Sequence, residues 1–488
     1  MSDRSAVISI IWACLSSWYY GYHLSELNFP VASLTCLSPA FPPPSRLPLC
    51  LDLDAYLYGL ITAVFTVGGL VGSLMSSWIV EKEGLKGGIA WTGYLNVIGV
   101  LGMGVSPHWW VLALGRFVAG VSSGIAVCLV PPFLSLVARS SPDLASKSGQ
   151  IGTMNQLAIV LGICSAQIAG LLLTGERGDM PGRWRYVVAL SGIFAALQTV
   201  TAGQIVTPSV DPDSKPIFST TEDGDLDADV DVEAGGTPSH THTDEAVAPL
   251  LPENGSTDEI SQDIQAHEPG GGGGGGGQLS LRSVLSNSSL RGPTIFCATI
   301  MALQQFSGVN AVMFYSTPVL RPLLPTSAGI VGVGITVVNA VMTLPAIFLM
   351  DRLGRKPLIL SSILGMTVTS ALLAIALNEG YQTLSALSII LFIAAFSIGL
   401  GPVPFLLISE LVPSPAVPAL SSLALSTNWV TNFLIAMFFL PIRNGLSTPV
   451  DRNDPDSPRT GEGRVFYLFT GILVAGGILV SRGLKTGH

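Results

Sequence analysis

The sequence predicts an all-α membrane protein of twelve transmembrane helices in two six-helix bundles, and three observations carry that expectation. Of 488 residues, 49% are hydrophobic and only 11% charged, against roughly 25% charged in soluble domains. Mean hydropathy is +0.57. Apolar stretches of helix length recur along the chain, and a hydrocarbon core about 30 Å thick needs about 20 such residues per helix.

The stretches fall at 6–25, 56–79, 87–106, 109–138, 151–174, 185–206, 293–320, 327–350, 357–378, 384–410, 417–441 and 464–482. The first opens near the N-terminus and leads into Gly21-Tyr22 without a small-residue cleavage site, so it reads as a span rather than a removed signal. Six spans thus form a bundle over 1–206, and six more a second over 291–488. Between them lies a polar interval, 207–290, taken to be cytosolic. Sixteen of the 32 acidic residues fall within 211–268 beside Lys215 alone, so the rest carries 22 basic against 16 acidic side chains. The net charge of −9 therefore belongs to the interval, and the body is mildly basic with no clustered basic surface for nucleic acid.

The interval is rich in Gly, Ser, Thr and Pro and ends in an unbroken glycine run at 270–277. Such composition buries too little apolar surface to offset ordering entropy, so it is expected to be largely disordered. A short amphipathic helix is expected near its end, at 279–285. With both termini cytosolic, all six lysines (Lys82, Lys86, Lys147, Lys215, Lys356, Lys485) fall inside, as the positive-inside rule asks. Cys14, Cys128, Cys164 and Cys297 lie in apolar spans as packing residues. Cys36 and Cys50 share the loop after the first span, on the extracytosolic side, and form a candidate disulfide.

The chemistry concentrates at Gln304-Gln305-Phe306-Ser307-Gly308-Val309-Asn310, followed by Phe314-Tyr315-Ser316. Amides at membrane depth are costly unless hydrogen-bonded, so they mark a polar cavity. Read as one helix, the segment brings amides, a small residue and an aromatic onto one broad face. Each amide offers a donor and an acceptor to hydroxyls, and an aromatic can stack on the C–H face of a sugar, which suits a neutral polyol. Helix packing alone also uses small and amide residues.

This stretch resembles the seventh helix of the sugar porters, the glucose-transporter-like branch of the major facilitator superfamily. The resemblance implies the major facilitator fold, with substrate held at the midplane between the halves. It extends to Gln156 in the fifth span, Asn339 twelve residues before Asp351, and Asn428-Trp429 with Asn432 in the eleventh. Gly399-Leu400-Gly401-Pro402-Val403-Pro404-Phe405 resembles the family's gating break, with Phe405 where many glucose carriers have Trp. The resemblance therefore implies sugar contacts at Gln156, Gln304, Gln305, Asn310, Phe314, Asn339 and Asn428, with Phe405 and Trp429 as apolar walls.

Asp351-Arg352-Leu353-Gly354-Arg355-Lys356 resembles the family's cytosolic loop motif, and with Glu410 it implies ion pairs that close the inner gate. Arg116 matches a glycine-arginine motif in the fourth span, where an arginine requires an acid or a cavity. The N-terminal half departs from the pattern: Leu136 stands where the family carries Glu, and the loop after the second span keeps only part of the charge motif. A weakened inner gate follows, fitting either a carrier biased toward inward-facing states or a member that senses rather than transports. Proton-coupled members carry an acid after Gly-Tyr in the first span, whereas here His23 follows and Glu26 comes three residues later. Both are candidates for proton coupling, with facilitated diffusion the default without them.

The expected function is transport of a hexose or related polyol by alternating access, facilitative or proton-coupled. The alternative is a sugar sensor or scaffold signalling through its cytosolic loop. No metal-spaced His/Cys group, nucleophile elbow or phosphate-binding glycine loop appears, so no enzyme activity, metal or cofactor is expected. The expected partners are sugar, the bilayer and, on one branch, protons, with the chain acting as a monomer in a plasma or vacuolar/lysosomal-type membrane.

Overall fold

A computed structural model describes residues 3–36, 47–138, 140, 144, 148–206, 281–320, 324, 327–412, 416–449 and 459–483. The acidic stretch and the glycine run lie outside the described residues.

The N-terminal half comprises α1 (Asp3–Ser25), a short α2 (Val31–Leu34), α3 (Ala55–Gly104), α4 (Trp109–Ala138), α5 (Ser148–Thr174) and α6 (Trp184–Thr201). The 50-residue α3 is two spans joined at Gly84, whose φ of 69° turns the chain at a conformation that glycine adopts without strain. Helix α7 (Leu281–Ser286) falls on the amphipathic piece expected there. The C-terminal half continues with α8 (Ser288–Phe306), α9 (Val309–Leu320), α10 (Ala328–Leu353), α11 (Arg355–Glu379), α12 (Gln382–Ile398), α13 (Val403–Glu410), α14 (Val417–Leu446) and α15 (Arg464–Gly483).

Ten described helical segments are long and apolar enough to cross a bilayer. One of them is the double-span α3, and α1 adds a crossing whose polar side chains lower its hydropathy, which accounts for twelve. In the connection between α14 and α15, β1 (Thr448–Pro449) pairs antiparallel with β2 (Arg459–Thr460).

Two predicted helices are broken, and both breaks shape the site. The segment 304–316 is not one helix: α8 ends at Phe306 and α9 starts at Val309, with Gly308 at φ 93°. Likewise 399–402 separates α12 from α13, as the Gly/Pro cluster there suggests. The single-face placement of Gln304, Ser307 and Asn310 is thereby corrected, because the turn rotates α9 relative to α8.

The halves meet where α3 packs on α14, α5 on α10 and α1 on α9. Within the N-terminal half α3 and α4 approach so closely that a Cβ on Gly68 would lie 2.1 Å from the Phe117 carbonyl oxygen. Bare backbone at that crossing is what small-residue packing in membranes requires.

Candidate functional site

The α8 break gathers the amides. Gln304 is 3% exposed, and its Nε2 donates to the Leu400 and Gly401 carbonyls at 2.9 and 2.8 Å. Those carbonyls are freed by the interruption between α12 and α13, so one broken helix satisfies another. Gln304 Oε1 accepts from Gln305 Nε2 at 3.2 Å and from Asn428 Nδ2 at 3.0 Å. Asn310 Nδ2 donates to Gln305 Oε1. Four carboxamides from α8, α9 and α14 thus form one connected cluster.

Trp429, 2% exposed, extends the cluster to the other half. Its Nε1 donates to Ser73 Oγ at 2.9 Å, and its ring packs against Gly69, Phe65 and Tyr20. Other expected contacts lie elsewhere. Gln156 is half-buried and makes no hydrogen bond among the described residues. Asn339 is buried, with its Oδ1 accepting from Ser397 Oγ at 2.8 Å rather than joining the cluster. Phe314 is buried against Tyr315. Phe405 is 39% exposed and walls nothing here, since the break before Val403 resets the rotation of α13.

Arg116 is 1% exposed and reaches back to α1, not to a gate loop. Its Nη1 donates to Glu26 Oε1 at 2.9 Å and to the His23 carbonyl at 2.7 Å, and its guanidinium lies over the Phe65 ring. His23 Nδ1 lies 2.9 Å from Glu26 Oε1, and Nε2 lies 2.6 Å from Asn96 Oδ1. Glu26, His23 and Asn96 are fully buried, so neither titratable group sits at a solvated rim. Helix α1 ends one residue before Glu26, and its backbone N–H still bonds the Tyr22 carbonyl at 2.9 Å.

Inner-gate pairing falls outside the described side chains, which omit Asp351 and Glu410; Arg352 is exposed and Arg355 half-buried. Cys36 and Cys50 are joined by a disulfide. The halves touch near that disulfide. Asn28 Nδ2 donates to the Met313 carbonyl at 3.0 Å and to Ser316 Oγ at 2.7 Å, while its Oδ1 accepts from the Thr317 N–H at 3.2 Å. Phe29 packs against Gly329, and Tyr58 sets its edge on Tyr315, which donates to the Ala436 carbonyl. On the disulfide side the described residues of the two halves are thus in direct contact.

Gln167 follows Gln156 and Gly162 in the fifth-span motif, whereas for Asn28 and Asn96 the sequence offers no role beyond the glue that a lone amide in a span suggests. Gln167 Nε2 donates to Ser25 Oγ at 2.7 Å. The signal that could have found Asn28 and Gln167 is their shared end of the bundle with Glu26.

The sequence profile of the family described as "Sugar (and other) transporter" matches residues 9–210 and 236–485. A "Probable metabolite transport protein" of Saccharomyces cerevisiae is 30% identical over 463 residues, covering 90% of this chain and 87% of that one. Human solute carrier family 2, facilitated glucose transporter member 3, is 27% identical, covering 96% and 87%. The crystal structure of a D-xylose-proton symporter superimposes with a TM-score of 0.71 at 20% identity, covering 98% of each chain, and so shares the fold. With a profile match over most of its length, two six-helix halves and a buried carboxamide cluster where two broken helices of the C-terminal half meet, this chain belongs to the Sugar (and other) transporter family, as a sugar porter of the major facilitator superfamily.

Proposed function

We propose that the chain carries a hexose or related polyol by alternating access, with a proton as co-substrate. The observation that carries the sugar assignment is the Gln304–Gln305–Asn310–Asn428 cluster, neutral and rich in paired donors and acceptors. Gln156 and Asn339 would join it once the halves close around substrate. Relatives bearing the name facilitated glucose transporter support a hexose.

The proton rests on Glu26. A carboxylate this deeply buried keeps its charge through its pairing with Arg116 and His23, and a loosening of that pairing favours its protonation. Taking up a proton releases Arg116 and frees α1 to move, which links protonation to the swing of the halves. In this reading the disulfide side is extracytosolic and both termini are cytosolic.

The test is uptake of radiolabelled glucose and xylose into proteoliposomes, with and without an imposed pH gradient. Accumulation above equilibrium under the gradient, lost in Glu26→Gln, is the expected result. Equilibration that ignores the gradient removes the proton, and binding without flux removes transport altogether.

A further inference from the structure

We propose that the N-terminal half contains a hydrated polar track between α1, α3 and α6, along which the proton leaving Glu26 reaches the membrane face bearing Ser9 and Lys86. The inference rests on the proton-coupled reading above and gives the proton a route separate from that of sugar.

The track begins where five buried polar atoms lack a protein partner: Glu26 Oε2, Asn96 Nδ2, Tyr19 Oη, Gln198 Oε1 and Thr199 Oγ1. Buried polar groups without a partner cost too much to be left dry, and bridging water is the usual remedy. Such atoms occur in both halves, but Glu26, Asn96, Gln198 and Thr199 are brought together through His23 and the bare backbone of Gly93. Asn96 lies one turn beyond Thr92 on α3, and the intervening Gly93 has no side chain to separate α3 from Thr199 Oγ1 and Gln198 Oε1, which would lie 2.6 and 3.3 Å from a Cβ there.

Hydrogen bonds continue from that point. Thr92 Oγ1 lies 2.7 Å from Ser16 Oγ, which accepts from Gln198 Nε2 at 2.8 Å. Gln198 Nε2 also donates to the Trp12 carbonyl at 2.8 Å. At the far end Ser9 Oγ donates to the Val206 carbonyl at 3.0 Å, and Lys86 Nζ to the Ile205 carbonyl at 2.7 Å. Ser9, Ser16 and His23 recur every seven residues, so they fall on one face of α1. Every bond named stays inside the N-terminal half, away from the carboxamide cluster.

The charged and titratable groups around Glu26 are His23 and Tyr22 on its own segment, Arg116 from α4 and, within electrostatic range of Arg116, Tyr58 from α3 and Tyr315 from α9. No acid other than Glu26 is among them. In the step, the O–H bond on Glu26 breaks and the proton joins a track water. One proton leaves the far end to bulk water, and the carboxylate re-forms its pair with Arg116.

The full chain in proteoliposomes tests the track through Gln198→Leu and the isosteric Thr92→Val. Gradient-driven accumulation should fall by at least about tenfold, the scale of losing a proton relay, while sugar counterflow at equal pH stays within about twofold. A Thr199→Cys variant should react with a charged, membrane-impermeant thiol reagent applied on the Ser9 face, beyond the labelling of the parent chain. Variants that accumulate sugar as the parent does, or an inert Thr199→Cys, overturn the track while leaving proton coupling intact. A parent chain indifferent to the gradient overturns coupling itself, and with it the proton's use of this route.

Discussion

Among the described residues Glu26 and Arg116 are each other's only charge compensation of full sign at a fully buried site, with His23 as a conditional third member. Removing one partner of such a pair leaves a desolvated charge, at a cost of about 3–5 kcal/mol. Glu26→Gln is therefore expected to lower the thermal unfolding midpoint in detergent as well as to abolish proton drive. Gln304→Ala is a different case, because it strips two carbonyls of a donor and two amides of an acceptor. It also removes the amide proposed to meet a sugar hydroxyl, and a hydroxyl left unpaired in the buried complex costs about 1–3 kcal/mol, so sugar affinity should fall by about tenfold or more in a binding titration. An unchanged dissociation constant would place the sugar elsewhere. The amides of the cluster were legible in the sequence because four of them recur in a resemblance with long, specific motifs. The partner of Arg116 was legible only as a requirement, since the two residues stand 90 positions apart and burial alone decides which acid answers. Asn96 was invisible, because its role exists only once His23 faces it.

At the scale of elements, function sits where helices fail. Gly308 holds φ 93°, and a Cβ there would lie 2.6 Å from the Phe469 ring, so Gly308→Ala meets both strain and a clash. A cost of about 1–3 kcal/mol follows from the backbone alone, read as a lower melting midpoint; a neutral Gly308→Ala would mean the break is not needed. The disulfide closes a loop with a sequence separation of 14; Trp184 Nε1 pins that loop at the Leu49 carbonyl, and Ser33 Oγ ties α2, just before it, to the Met180 carbonyl. Losing the crosslink in a Cys36→Ser, Cys50→Ser chain should cost about 3 kcal/mol by chain entropy, visible as earlier thermal unfolding. Spans were readable from apolar length, and the α12–α13 interruption from its glycines and prolines. The break at Ser307-Gly308 was not, since one glycine among apolar residues is compatible with a continuous helix until its neighbours demand otherwise.

For the whole molecule, the two halves could be counted from the sequence, but their relative tilt could not. Tilt is an equilibrium between states separated by a few kcal/mol, which no local pattern encodes. In the structure three hydrogen bonds of Asn28, in the turn after α1, tie the N-terminal half to α9. Asn28→Ala should shift the population toward opening there, raising the reactivity of a Ser316→Cys probe to an impermeant thiol reagent added outside. Unaltered reactivity would show that aromatic packing alone holds that contact.

The carboxamides around Gln304 already satisfy one another before any ligand arrives. An incoming hydroxyl competes with bonds the amides already make, so part of each new bond is offset by one given up. Binding is thereby weakened relative to a site whose donors and acceptors wait unpaired. Shallow occupancy favours rapid unloading, which suits a protein whose task is passage rather than retention.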